Sequence, residues 1–315
     1  MEPAPLAPGS VSLRLYPHDG PAVEQIDELR RQAQLAAQVG FDGVMVSEHH
    51  ADFPGYLPNP VQLAGVLLEV MGRGWAAPCP LLLPMKPYAL VAEDLAWLAA
   101  AHPGRLGAGF AAGALPVDFE LAEVPFDEIV ERFKGALPRV VLALRGGDPT
   151  PLGADRALRR LRQHPLPMAV AAQSVGAVRR AARLDLAVLY DSLQGPAVSR
   201  RLSDAYLEAG GRAARILIRR VWIGDAPTEE MAAQMAHYRS YAPERAVANW
   251  GEGEQLVIGG GAEEVAQRLG EIMAASRCDT VNIRVQVTGV APEVVRDQIG
   301  AYDGAMHLFR QAVAG

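Results

Sequence analysis

The strongest constraint in this chain is a repeating alternation: a short apolar run followed by a longer amphipathic stretch, about eight times in succession. Val11 to Leu15 reads as the first strand. Val23 to Val39 then sets Val23, Ile26, Leu29, Ala33 and Ala36 on one helical face, with Gly40 as its C-terminal cap. Val44 to Ser47 is the second strand, and Asn59-Pro60 opens the second helix with an N-cap and a proline at the first helical position. Trp75 to Leu83, Arg105 to Ala111, Met168 to Ala172, Leu186 to Tyr190, Arg215 to Ile223 and Thr280 to Val287 read as the remaining strands. Between them fall helices at Tyr88 to Ala100, Phe126 to Leu144 (bent or interrupted at Pro138), Val175 to Leu184, Pro196 to Glu208, Thr228 to Tyr241 and Glu263 to Ala275. Pro292 to Ala312 reads as the closing helix.

Strands alternating with helices predict a parallel sheet with helical crossovers. Eight such units point to a closed (β/α)₈ TIM barrel of the α/β class, with an open doubly wound sheet as the rival. The 315 residues suit one barrel with insertion loops at the C-terminal face of its strands. No linker divides the chain, so residues 1–315 read as one domain with 1–10 as a flexible end. Gly146 to Gly153 and Pro243 to Gly261 read as long irregular loops, of the kind that cover sites.

Composition excludes several functions. With 30 basic against 36 acidic residues the net charge is -6, and no basic stripe suggests nucleic acid. Membrane contact has no support either: apolar runs are too short to span a bilayer, and residues 1–10 lack the features of a signal peptide. Two cysteines, Cys79 and Cys278, exclude a disulfide framework and a four-cysteine zinc site, and fit a cytoplasmic protein.

In such a barrel the chemistry sits at the C-terminal ends of the strands. After the second strand comes Ser47-Glu48-His49-His50, three ionisable groups in a row. Neighbouring strand residues point to opposite sides, so His49 and His50 do not readily chelate one metal, and no HExxH spacing accompanies them. No metal is expected; a pair of hydrogen-bonded loop histidines is the plainer alternative to a catalytic role. Neither GxxxxGK nor GxGxxG occurs, so no dedicated nicotinamide-dinucleotide domain is expected.

Phe41-Asp42-Gly43-Val44 leading into Ser47-Glu48-His49-His50 resembles the bacterial luciferase-like monooxygenase family. The resemblance continues in order through Asn59-Pro60, Leu81-Leu82-Leu83-Pro84, Ala92-Glu93-Asp94, Gly104-Arg105-Leu106 with Gly109, Val124-Pro125-Phe126, Glu131-Arg132-Phe133, Ala172-Gln173-Ser174, Ala181-Ala182-Arg183 and Ile258-Gly259. It implies a flavin-dependent monooxygenase that uses reduced FMN and O₂ to oxygenate a small organic substrate, and it suggests a homodimer.

The resemblance also implies roles. His49 matches the catalytic histidine, whose near-neutral pKa suits acid–base work, with Glu48 and His50 supporting it. Arg132 and Ser174 match phosphate-contacting residues; the plainer alternatives are a surface helix charge for Arg132 and an N-cap for Ser174. Gln173 is placed with Ser174 at the cofactor, and Cys79, Pro80 and Ala111 beside its ring. Asp118 and Phe119 match a loop near the flavin and substrate. A cis peptide is implied in the third strand, at Cys79-Pro80. Ala111 replaces a reactive cysteine of the luciferase branch, Ala112 another phosphate-contacting arginine, and Lys86 the histidine of a His-Pro pair. Two alternatives remain on the same fold: hydride transfer with a deazaflavin, and a non-catalytic flavin-binding subunit. Without a dinucleotide domain, reduced flavin is expected to come from a separate reductase.

Overall fold

A computed structural model describes residues 3–314 apart from 243, 252 and 254, and apart from the side chains of 241, 245 and 246. The strands are β1 (Val11–Arg14), β2 (Gly43–Val46), β3 (Trp75–Pro78), β4 (Leu81–Leu82), β5 (Ala108–Ala111), β6 (Met168–Ala171), β7 (Ala187–Tyr190), β8 (Arg215–Ile223), β9 (Leu256–Gly259) and β10 (Thr280–Arg284). All pair in parallel, in the order β3-β2-β1-β10-β8-β7-β6-β5-β4, with β9 beside β8. A bridge from Ala76 to Leu106 joins β3 to the approach of β5 and closes the ring. With β3 and β4 taken as one interrupted third strand, the eight expected strand positions are all occupied. The result is a TIM barrel.

The strands of the ring are largely buried on both faces, as a parallel barrel wrapped in helices requires, while β9, beside β8, alternates half-buried with buried residues. Outward residues such as Val11, Leu13, Val44 and Val46 join the large core under the helices. Inward residues Met45, Trp75, Ala77, Cys79, Ala169, Ala187, Leu189, Ile216 and Ile218 fill the barrel together with Leu6. Part of the segment 1–10, expected to be a flexible end, packs against the barrel: Leu6 is 3% exposed and sits among these residues.

Phe41-Asp42-Gly43 has a physical reading. Phe41 packs against Tyr302, ring centroids 4.9 Å apart. The buried Asp42 carboxylate accepts from Val11 N at 2.8 Å and pairs with Arg310 at 2.7 Å, which ties β1 and the approach to β2 to the last helix. Gly43 is obligatory because a Cβ there would lie 2.1 Å from the Trp75 ring. Helix starts follow their caps: Asn59 Oδ1 accepts from Gln62 N at 3.1 Å ahead of Pro60–Val70.

Several boundaries differ from the sequence reading. The third strand breaks between β3 and β4, where Cys79-Pro80 is cis. The fourth begins at Ala108, because Arg105 is turned aside to donate to Gly74 O at 2.7 Å and Met71 O at 2.6 Å. The helix Ile129–Leu144 runs through Pro138 without interruption. The closing helix is two, Pro292–Gly300 and Met306–Ala314, divided by a turn whose Tyr302 is wedged between Phe41 and Phe309. The stretch 243–261 contains Glu244–Val247 and β9, and Pro116–Leu121 forms a helix that the sequence reading left as loop. No helix among the described residues is long and apolar enough to cross a membrane.

The Asp42 tie gives a stability prediction. Asp42→Asn is expected to cost about 2 kcal/mol, below the range for a fully buried pair because Arg310 is partly exposed. Urea unfolding checks it, and a loss under about 0.5 kcal/mol would mean that the carboxylate is not what holds the last helix to the barrel.

Candidate active site

Beyond β2 the chain runs through Ser47, Glu48, His49 and His50. Glu48 is buried; its carboxylate accepts from Leu82 N at 2.6 Å and its own N–H donates to Pro80 O at 3.2 Å. It thus splices β2 to the break in the third strand. His50 Nε2 lies 3.4 Å from Glu48 Oε1.

His49 takes a different partner. Its Nδ1 lies 2.8 Å from Asp118 Oδ2, while Asp118 Oδ1 accepts from His50 N, also at 2.8 Å. Asp118 sits on Pro116–Leu121 and is fully buried. Because a carboxylate accepts, Nδ1 carries the proton and Nε2 is the free acid–base position. The His49 ring lies 4.4 Å from Tyr56 and 5.0 Å from Phe53, and its side chain keeps 20% exposure. It is therefore held on one nitrogen, walled by aromatic rings and still open to a ligand. Phe119 turns into a small core with Val124 and Ile129 and anchors this helix from beneath.

The residues expected at a cofactor fall into three places. Cys79 and Pro80 lie at the strand break, where a Cβ at Gly109 would meet Cys79 Sγ at 2.1 Å, so β5 presses its backbone against the cis peptide. Ala111 ends β5, partly exposed. Ser174 caps Val175–Arg183, accepting from Ala177 N at 3.3 Å, and Gln173 accepts from Gln194 and reaches Leu189 O at 3.4 Å. Arg132 stands apart: it pairs with Glu128 at 2.8 Å and is about half exposed on its helix.

The sequence reading missed a second set of groups. Ser12, Arg14 and Tyr16 alternate with Val11, Leu13 and Leu15, and Asn282, Arg284 and Gln286 alternate with Val281, Ile283 and Val285. In a parallel barrel that polar phase faces inward. Arg14 donates to Asn282 Oδ1 at 2.6 Å, to Ser47 Oγ and to Met45 Sδ at 3.8 Å. Arg284 stacks 4.2 Å over the Tyr16 ring and donates to Tyr238 OH at 2.6 Å. Arg220, on β8, donates to Gln234 at 2.9 Å, and burial, then the nearby Arg284 charge, pushes its pKa down to about 10. Burial raises the Tyr16 phenol, but Arg284 and Arg14 outweigh it and leave its pKa below the ordinary value. Tyr56 packs on Tyr16 at 5.2 Å and so joins this set to His49.

A family model described as "Luciferase-like monooxygenase" matches residues 10–306. Solved structures share the fold. Monooxygenase RslO1 from Streptomyces bottropensis superposes with a TM-score of 0.77 at 22% identity, over 96% of this chain and 99% of that one. The oxygenating constituent of 3,6-diketocamphane monooxygenase from Pseudomonas putida, a type II Baeyer–Villiger monooxygenase in complex with FMN, gives 0.71 at 18% identity, over 97% and 98%. An F420-dependent secondary alcohol dehydrogenase gives 0.66 at 16%, over 95% and 98%. No curated protein matches the chain by sequence.

Both cysteines are buried thiols, Cys79 pushed up to about 11 by burial and Cys278 to about 12. Both stay protonated at every pH below those values, and the thiolate is the reactive form. The folded protein at pH 8 is expected to resist iodoacetamide at both positions, and to be alkylated twice in urea. Mass spectrometry reads this; rapid native labelling of Cys79 would show that the barrel interior is open to solvent.

Proposed function

We propose that this chain, which belongs to the luciferase-like monooxygenase family, uses reduced FMN and O₂ to oxygenate a small organic substrate at the mouth of its barrel. The observation that carries the reading is the Asp118–His49 pair, a histidine fixed on one nitrogen and open on the other at the C-terminal end of a barrel strand.

The residues present fit a flavin. The side chains expected nearest the ring are small, with Ala111 at the end of β5 and Cys79-Pro80 at the strand break. At the other end, Ser174 begins a helix, where a hydroxyl and free backbone N–H groups favour a phosphate. Ser174 and Gln173 would hold the phosphate there. Arg132 would reach it only by leaving Glu128. Reduced flavin supplies the two electrons with which O₂ is activated.

The chain's own residues do the rest. His49 Nε2 takes or returns a proton at the substrate, while Asp118 holds the ring in the required tautomer and steadies its charged form. Phe53 and Tyr56 shield that nitrogen from bulk water. Glu48 keeps the strand break in register and does not touch the reacting atoms. Reduced flavin arrives from a separate reductase; the FMN-bound neighbour is itself described as an oxygenating constituent.

A second reading on the same barrel is hydride transfer from a deazaflavin, favoured by the F420-dependent neighbour. One assay separates the two. The protein is expected to purify largely colourless and to form oxygenated product only when reduced FMN, or a reductase that makes it, is present. Full activity with nicotinamide and FMN but no reductase would overturn the two-component reading. Anaerobic turnover with reduced deazaflavin would establish the second.

His49→Ala is expected to leave the circular dichroism and unfolding midpoint in place and to cut turnover by about 10²–10⁴. Asp118→Asn should lower kcat by about 10–100-fold with little change in KM, since it acts through His49. If His49→Ala retains full turnover, the histidine is a packing residue and the acid–base role fails.

A further inference from the structure

The inward polar rows of β1, β8 and β10 leave positive charge inside the barrel. Arg14, Arg220 and Arg284 are 2%, 2% and 5% exposed. Among the described residues no carboxylate lies within 4.0 Å of any of the three. Their acceptors are neutral: Asn282, Ser47 and Met45 for Arg14, the Gln286 carbonyl and the Tyr238 hydroxyl for Arg284, and Gln234 for Arg220. The nearby acid Asp191 lies just beyond β7: its carboxylate accepts from Leu193 N at 2.9 Å and interacts with the Arg284 and Arg14 charges from beyond ion-pair distance.

Neutral acceptors satisfy N–H groups but do not cancel charge. Burying guanidinium groups without an anion in ion-pair contact is costly, and an anion that reaches contact recovers part of that cost. Guanidinium donors are spare as well: of its five N–H groups, each arginine can commit several, yet Arg220 uses only Nη2 and Arg284 only Nε and Nη2 among the described residues. Arg284 is joined to the dyad by a continuous path of rings, Tyr16, Tyr56 and His49. Arg14 reaches Ser47, two residues before His49. Charge and proton-transfer group are therefore linked by one run of contacts at the same end of the barrel. Burial together with the Arg284 charge holds Arg220 below its ordinary pKa, whereas burial at Arg284 is outweighed by Tyr16, Tyr238 and Tyr56, which hold it above its own.

We propose that the substrate of this barrel carries a carboxylate, bound by Arg284 and Arg220 over Arg14, with its reacting carbon turned towards His49. This rests on the oxygenase reading for the word substrate, and on the arginines alone for the anion site. A planar guanidinium fork matches a carboxylate with two parallel hydrogen bonds. Tyr238, half-buried on the helix Thr228–Tyr241, roofs Arg284, and an entering carboxylate exchanges a neutral hydroxyl for a charged acceptor on Nη2. The flavin phosphate is assigned elsewhere, at Ser174, so one molecule of each can bind together.

The test needs no turnover. Benzoate and octanoate are titrated calorimetrically into the flavin-free protein at constant ionic strength, beside benzamide and octanamide, and again with FMN or inorganic phosphate present. At least one carboxylate is expected to bind once per chain, tenfold or more tightly than its own amide, and FMN should leave that binding in place. R284Q and R220Q should each reduce the preference at least tenfold with circular dichroism and unfolding midpoint retained; should one variant fail to fold, the other reads the effect. Carboxylates no better than their amides, including no binding of either, would overturn the proposal. So would a preference that survives in a folded R284Q and a folded R220Q, or mutual exclusion of benzoate by FMN or by phosphate, which would assign the arginines to the cofactor or to phosphate. Because no flavin chemistry is involved, this result stands or falls independently of the oxygenase reading, which the assay with reduced FMN tests.

Discussion

The two-residue period of a strand inside a closed ring governs this molecule. Every second side chain of eight parallel strands converges on one axis, so the inner rows must interlock or leave a chamber. In one part of the barrel they interlock. Trp75 fills the space that Gly43 leaves, Ile216 and Ile218 meet Met45 and Leu189, and Leu6 adds to the same packing. Elsewhere the rows turn polar, with Arg14, Arg220 and Arg284 inward and His49 beyond β2. The same periodicity thus yields an apolar core and a row of buried charge within one ring.

Two buried carboxylates then divide the labour around Ser47-Glu48-His49-His50. Glu48 is spent on backbone: it replaces the sheet partner that Leu82 loses where the third strand breaks. Asp118 is spent on the loop, fixing His49 by its ring and His50 by its N–H. A charge-assisted bond to a fully buried carboxylate is stronger than a neutral one, so the position of His49 is set by a helix almost seventy residues further on. The charge inside the barrel comes from different strands altogether. The proposed proton-transfer and anion-binding roles therefore fall on different residues.

The fold was largely legible because it depends on pattern. Apolar runs and capped helices announced the eight units, and Asn59-Pro60 and Gly40 marked ends that the structure retains. Some of what escaped had weak local signals. β9 lies in a glycine-rich stretch, and its strand character comes from pairing with β8. The closing helix breaks between Gly300 and Gly304, the latter at φ 71°, a local signal that the sequence reading passed over, and Tyr302 fills the space between Phe41 and Phe309. Of the site, Glu48, His49 and His50 could be singled out as ionisable groups at a strand end. The pairing of His49 with Asp118 could not, since nothing local links residues so far apart. The arginines are the instructive omission. Ser12-Leu13-Arg14-Leu15-Tyr16 and Asn282-Ile283-Arg284-Val285-Gln286 alternate polar with apolar, the pattern of a strand with one polar face. For a barrel strand that face can only be the interior.

On the proposed function, the mouth of this barrel accepts reduced flavin with its phosphate at Ser174. Anaerobic titration with reduced FMN and, separately, with reduced deazaflavin, followed by the spectrum of the bound cofactor, tests it most directly. Saturable binding of one reduced FMN per chain is expected, weakened at least tenfold by Ser174→Ala and little changed by R284Q. Binding of deazaflavin alone, of neither cofactor, or of FMN with no dependence on Ser174 would contradict it.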